Sequence, residues 1–229
     1  MNTEPTMTAK MTDITMHRTL ALLALLSALT VSAMLIVALQ AGISQEPFQV
    51  ARLADANTAK LLLNPAGLRL NVGLDNLFII LYTSYFLLLS IRFRSLIDPL
   101  HAGVALGALL ITALLDAAEN HHILMMLFSA EHSLPLSVAE SQWQMAASSV
   151  KFHSSYVALV LFAFGFRLWG GLGRVIAWGV WLVYLPLGLL IFMTPPEVVR
   201  PLVIGRTLFF ILAFVLSAIL FRTAPRQPH

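Results

Sequence analysis

Apolar residues fill six long stretches of the chain, separated by short polar segments. Each stretch has about 20 residues, the length an α-helix needs to cross the hydrocarbon core of a bilayer at about 1.5 Å per residue. The pattern therefore predicts an all-α fold, an integral membrane bundle of six transmembrane helices. The predicted spans cover residues 19–41, 72–91, 102–122, 147–166, 175–192 and 202–221.

Composition agrees with a membrane protein. Of the 229 residues, 59% are hydrophobic and 11% are charged, against about 25% charged residues in an average soluble domain. The chain has no cysteine, which excludes disulfides, thiolate metal sites and cysteine nucleophiles. It also lacks a glycine-rich phosphate loop and a basic cluster interleaved with aromatic residues. We therefore expect the lipid bilayer, and no nucleic acid, as its partner.

The six spans leave no room for a separate soluble domain. We expect residues 1–18 to form a polar cytoplasmic tail, residues 19–222 the transmembrane domain and residues 223–229 a second tail. The longest connection, residues 42–71, is too short for a core of its own, and it is predicted to include an interfacial helix. The first apolar run exceeds the roughly 7 to 15 residues of a signal-peptide core, so we expect it to be retained as a helix.

The distribution of basic residues predicts the orientation of the spans. Eight Lys or Arg residues flank them on the side of the two termini, and four lie on the other side. Because cytoplasmic segments carry the excess of Lys and Arg, both termini are expected in the cytoplasm, as in a bacterial inner-membrane protein. The eight are Lys10, Arg18, Arg92, Arg94, Arg167, Arg174, Arg222 and Arg226, and the four are Arg52, Lys60, Arg69 and Arg200.

Helix ends and kinks are marked by particular residues. Asp98 before a proline predicts the start of the third span. Ser137 and Thr194 are each followed three residues later by a glutamate, the form of a capping box. Pro186 and Pro201 lie inside predicted helical runs, so we expect kinks in spans five and six.

Polar and charged residues interrupt the spans at one depth. The third span contains LLDAAENHH, residues 114–122, and the second, fourth and sixth spans carry further charges. Counted at about 1.5 Å per residue, these charges lie in the outer third of the bilayer. At about 100° per residue, most of them share faces that can point into the bundle. The candidate ligand-binding residues are Asp75, Asn76, Asp116, Glu119, Asn120, His122, Lys151, Ser155 and Arg206.

Charges inside a membrane are costly enough to need partners. One charge at the centre of a span costs about 2.5 to 3.5 kcal/mol. The candidate set holds three carboxylates, Asp75, Asp116 and Glu119, against the two cations Lys151 and Arg206. This near balance favours mutual neutralisation and makes the cluster a candidate for proton exchange. In particular, we expect Asp116 and Glu119 to pair with Lys151.

Three roles fit this cluster. The preferred hypothesis is a charged polar pocket that binds an amphipathic small molecule, an ion or a proton, for transport, sensing or lipid-directed chemistry. The first alternative is a structural or accessory membrane subunit, whose ion pairs only hold the bundle and whose outer loops meet a partner subunit. The second alternative is an intramembrane acid/base enzyme acting on a lipid, with Glu119, Asp116 and His122 as the catalytic candidates.

Histidine spacing argues against a metal or haem cofactor. Adjacent His121 and His122 point to different sides of a regular helix, and the chain contains no H-x-x-x-H or H-E-x-x-H motif. A haem shared by two helices would need His122 and His153, the one pair at compatible depth. We predict neither a haem nor a metal at these residues.

Overall fold

The computed structural model describes residues 7–43, 45, 54–195 and 198–223, and every regular element within these ranges is helical. Six helical segments are long and apolar enough to cross a membrane. Both observations confirm the predicted all-α chain with six spans. The helices are α1 (Met7–Ala41), α2 (Ala54–Leu61), α3 (Pro65–Phe93), α4 (Pro99–Glu131), α5 (Val138–Arg167), α6 (Gly170–Gly179), a π-helical turn (Val180–Tyr184), α7 (Leu185–Met193) and α8 (Arg200–Thr223).

The first helix is longer than the apolar run that predicted it. α1 begins at Met7, so residues 7–18, expected to form a tail, are its first turns. The segment contains neither glycine nor proline between residues 7 and 41, and nothing therefore interrupts the hydrogen-bond ladder. The helix ends before Gly42, whose φ of 66° lies in the left-handed region typical of a helix C-terminus.

The connection between the first two spans includes a helix, as the sequence predicts. α2 packs its buried Leu61 against a cluster that includes Ile123 and Leu127 of α4. The second span begins at Pro65, earlier than predicted, because the Asn64 side chain caps α3. The rest of the predicted interfacial segment, at residues 44 and 46–53, lies outside the described residues.

Two further helix starts agree with the sequence. Asp98 accepts a hydrogen bond from the Leu100 N–H at 2.7 Å, and it caps α4. Ser137 and Glu140 form both halves of the predicted capping box at the start of α5. The capping box expected at Thr194 needs residue 197, which lies outside the described residues.

The two prolines expected to kink helices have different surroundings. Pro186 follows the π-helical turn, in which the Leu185 N–H donates to the Val180 carbonyl, five residues back. A π-turn accommodates a proline that cannot donate to the ladder. Pro201 is the second residue of α8, where its missing N–H is not needed, so the kink predicted at Pro201 inside span six is wrong.

Aromatic residues from spans two, four and six fill the half of the bundle near the ends of α3 and α5. Phe93 is fully buried and packs edge-on against Phe166, with ring centroids 5.3 Å apart. Gly165 permits this close approach, because a Cβ atom at that position would overlap the Phe93 ring. Phe86 and Phe214 belong to the same core and also border the cavity described below. The aromatic core therefore forms the floor of that cavity.

Candidate functional site

Three of the predicted residues form a buried ion-pair cluster between α4 and α5. The Lys151 Nζ atom lies 2.9 Å from Glu119 Oε1 and 3.0 Å from Asp116 Oδ1. Lys151 is 5% exposed and Glu119 is 1% exposed. Glu119 also accepts a hydrogen bond from the Ser148 hydroxyl. The pairing expected from the sequence is therefore present, and one ammonium group serves two carboxylates.

Hydrogen bonds extend this cluster to α3. The Tyr82 hydroxyl donates to Asp116 Oδ2 at 2.6 Å. The Asn120 side-chain amide donates to Asp75 Oδ2 at 2.8 Å and to Asn76 Oδ1 at 3.0 Å. These bonds join spans two and three, and the ion pairs of Lys151 add span four. Three of the four spans predicted to converge are therefore connected at the level of the buried charges.

A cavity of about 610 Å³ lies beside the cluster. The helix α3 contributes residues 71, 75, 78, 82 and 86 to its lining. These residues are three or four positions apart and therefore lie on one face of the helix. Five of the nine predicted site residues border it. They are Asp75, Asp116, Lys151, Ser155 and Arg206.

The cavity is lined by both polar and apolar residues. The helices α3, α4 and α5 contribute Asp75, Tyr82, Asp116 and Lys151, and α8 contributes Arg206. The helices α1 and α8, which contact each other, supply much of the apolar lining. That lining includes Val31, Met34, Leu35, Ala38, Val203, Ile204 and Phe210. The exposed basic residues Lys60 and Arg200 lie at its mouth.

Comparison of the chain with protein-family models, with curated proteins and with solved structures finds no match. The chemistry of the site therefore rests on its own geometry. Charged groups and an apolar wall within one cavity can hold a molecule that has a polar end and a hydrocarbon part.

Arg206 differs from Lys151 in its surroundings. Its side chain lines the cavity, and the residue is only 9% exposed. The guanidinium carbon lies 4.2 Å from the centroid of the Phe152 ring, and Lys151 Nζ lies 4.7 Å from the same centroid. Among the described residues, no carboxylate oxygen comes within 4 Å of the Arg206 nitrogens, whereas Lys151 has two such partners. The predicted group of five charges is thus divided, with Arg206 set apart from the ion pairs.

The other four predicted residues do not line the cavity within the described part of the chain. Glu119 and Asn120 are buried, and they bond to Lys151 and Asp75, which do border the cavity. The Asn76 side-chain oxygen accepts a second hydrogen bond from the Asn120 amide. His122 bonds through Nδ1 to Gln144 Oε1 at 2.8 Å and packs against Trp143. Glu119 and Asn120 therefore hold residues that border the cavity, whereas His122 is held by residues of α5.

The two histidines considered for haem have separate contacts. His122 is held by Gln144, whereas His153 Nδ1 lies 2.7 Å from the Ser149 carbonyl and its ring lies 4.9 Å from that of Phe192. Within the described ranges, no three His, Cys, Asp or Glu side chains are close enough to hold a metal ion.

The predicted set of site residues omits several residues that line the cavity. Tyr82 is one of them, although its helical spacing from Asp75 places both on one face of α3 and could have added Tyr82 to the set. Tyr184, which lines the cavity and stacks on Phe209 at 5.5 Å, lies in the π-helical turn, whose position periodicity does not reveal. Leu35 and its neighbours on α1 carry no polar signal at all, because an apolar cavity wall and a lipid-facing surface have the same composition.

Proposed function

We propose that this multi-pass membrane protein binds an amphipathic molecule in the cavity between its spans. The observation that carries the proposal is the cavity of about 610 Å³, whose lining combines charged residues with apolar residues. Ligand pockets in proteins have about 300 to 1,000 Å³ and are mostly apolar, with a few polar groups that orient the ligand. We further propose that the protein resides in a bacterial inner membrane with both termini in the cytoplasm.

The charges that line the cavity support a binding role. A charge within a span is costly, and it usually marks a site for a substrate, an ion or a proton. Asp75, Asp116 and Arg206 border the cavity, so a polar group bound there would lie close to charged side chains. The hydrocarbon part of the ligand would lie against apolar lining residues such as Leu35 and Val203, where its burial is favourable.

Acid/base catalysis is less well supported than binding. A general base needs access to its substrate. Glu119 is 1% exposed and bonds to Lys151 and Ser148, and His122 faces Gln144. Two of the three catalytic candidates therefore lack access to the cavity, and Asp116 is the one that borders it.

The structural alternative is favoured by a separate observation. Lys151 joins Asp116 and Glu119 in a closed network between α4 and α5, the helix pair with the most extensive contact among the described elements. Such a network holds helices in register. We therefore assign the network to stability and the adjoining cavity to ligand binding.

Filling the cavity tests the binding role. Leu35 lines the cavity, whereas Leu29 on the same helix is 58% exposed on the outer surface. Leu35→Trp should displace a bound molecule, and Leu29→Trp is the matched control. Native mass spectrometry of the purified protein in detergent should show co-purified amphiphile on the parent and on Leu29→Trp, with a clear reduction on Leu35→Trp. Equal adducts on all three proteins, or no adduct on the parent, would contradict the proposal.

A further inference from the structure

We infer that the ligand has an anionic group, a carboxylate or a phosphate, and that Arg206 binds it. This inference rests on the proposed function and specifies its ligand class as an anionic amphiphile. It depends on the one cation of the cavity wall that is buried and has no carboxylate partner among the described residues.

The carboxylates of the cluster are already engaged by other groups. Asp116 accepts one hydrogen bond from Tyr82 and is paired with Lys151. Asp75 accepts the Asn120 amide. None of these carboxylates lies within ion-pair distance of Arg206 in the described structure, and the Arg206 charge is therefore not neutralised by direct contact.

The aromatic contact of Arg206 does not replace an anion. The Phe152 ring attracts the guanidinium through its electron-rich face, but this interaction is weaker than a charge-assisted hydrogen bond. Lys151 contacts the same ring, but its charge is compensated by Asp116 and Glu119. A bound anion would give Arg206 the partner that Lys151 already has.

Arginine is well suited to this role. Its planar guanidinium presents parallel N–H donors that match both oxygens of a carboxylate or two oxygens of a phosphate. Arg206 is the seventh residue of α8, about 9 Å from the helix start at 1.5 Å per residue. Lys60 and Arg200 at the mouth add positive potential along the path that an anion would take.

Paired probes separate the charge of the ligand from its hydrocarbon chain. Oleate and oleyl alcohol share a chain and differ in the anionic group, and phosphatidic acid and diacylglycerol form a second such pair. Apparent Kd values can be measured by native mass spectrometry for the parent, Arg206→Gln, Arg206→Lys and Arg222→Gln. Arg222 is an exposed arginine in the last turn of the same helix, and it serves as the matched control.

We expect the parent to prefer the anionic member of each pair. Arg206→Gln should weaken oleate binding by at least about tenfold, since charge-assisted hydrogen bonds are lost, and should leave oleyl alcohol binding within about twofold. Arg206→Lys should be intermediate, because lysine keeps the charge but not the paired donors. Arg222→Gln should match the parent.

Acetate and inorganic phosphate, added as competitors, identify the source of the anion. Weak displacement of oleate by either salt would support an amphiphile whose chain contributes to binding. Displacement at concentrations similar to that of oleate would overturn the amphiphile and leave a site for a free anion.

Failure of this inference is distinguishable from failure of the proposed function. If oleate and oleyl alcohol bind the parent equally and Leu35→Trp weakens both, the cavity binds amphiphiles and Arg206 has no anion to bind. If neither the parent nor Leu29→Trp binds any of the four probes, the proposed function fails as well. If Arg206→Gln does not fold, two measurements still test the inference. They are the preference of the parent for oleate over oleyl alcohol and the weaker oleate binding of Arg206→Lys.

Discussion

Lys151 and Glu119 form an ion pair across the interface of two membrane-spanning helices, with 2.9 Å between Nζ and Oε1. Both side chains are almost completely buried. Because water is excluded from the pair, each charge depends on the other far more than in a surface salt bridge. The effects of substitutions at the two positions should consequently be coupled.

Lys151→Met is expected to destabilise the protein strongly. It leaves the buried carboxylate of Glu119 without a counter-charge, and breaking a buried pair costs about 3 to 5 kcal/mol. The double variant Lys151→Met/Glu119→Gln should recover much of that loss, while Asp116 keeps its bond from Tyr82. Thermal unfolding in detergent measures these two variants and the single variant Glu119→Gln, which completes the cycle. The exposed Lys60→Met is the control and should change stability by less than about 0.5 kcal/mol. Strictly additive effects would show that Lys151 and Glu119 do not interact.

Tyr82→Phe should lower the free energy of unfolding by about 1.5 to 3 kcal/mol, the range for a hydrogen bond to a charged group. The Tyr82 hydroxyl donates to Asp116 at 2.6 Å, and the variant removes only that donor. Tyr156→Phe is the matched control, because the buried Tyr156 hydroxyl has no hydrogen-bond partner among the described residues. That variant should be neutral or slightly stabilised. The same loss in both variants would mean that the bond to Asp116 contributes nothing specific.

Two glycine substitutions should change the free energy of unfolding in opposite directions. Gly165→Ala places a methyl group into the fully buried Phe93 ring, and overpacking of this kind costs about 1 to 3 kcal/mol. Gly107→Ala meets open space within a helix, and the gain in helix propensity is about 0.5 to 1 kcal/mol. Unfolding curves for the two variants in the same detergent check this difference. If Gly165→Ala were as stable as Gly107→Ala, spans two and four would not pack as closely as described.

Reporter fusions test the orientation. With both termini cytoplasmic, alkaline phosphatase fused after Arg94 or after Arg226 should be inactive, and the fusion after Glu131 should be active. A fluorescent protein that folds only in the cytoplasm should give the reverse pattern at the same positions. An active phosphatase after Arg226 would invert the topology, and the cavity mouth would then face the cytoplasm.

Helical periodicity was sufficient to predict which helices meet at the cluster. Asp116 and Lys151 each lie at a fixed depth along their own span, and counting 1.5 Å and 100° per residue brings them together without knowledge of the packing. The same arithmetic also placed Arg206 at this level. Such counting gives the depth of a residue along its own helix and its angular position around that helix.

The division of the polar residues between cavity and packed interior could not be predicted in this way. Glu119 and Asp116 share a face of α4, yet only Asp116 borders the cavity, because Ser148 and Lys151 of α5 cover Glu119. The outcome depends on which neighbouring helix fills the space, and that is a property of the assembled bundle. His122 shows the same effect, since Gln144 satisfies it from α5.

The π-helical turn Val180–Tyr184 has a consequence for insertions and deletions in the chain. A turn closed by a bond over five residues contains one residue more than an α-helical turn, while the helix on either side keeps its direction. Removing one residue from this turn would leave α6 and α7 facing their present neighbours. The same deletion in the middle of α5 would rotate everything beyond it by about 100° and turn either Lys151 or Phe162 away from its partners. Loss of one residue should therefore disturb the bundle less at this turn than in α5, even though Pro186 would lose the space that the π-turn gives it.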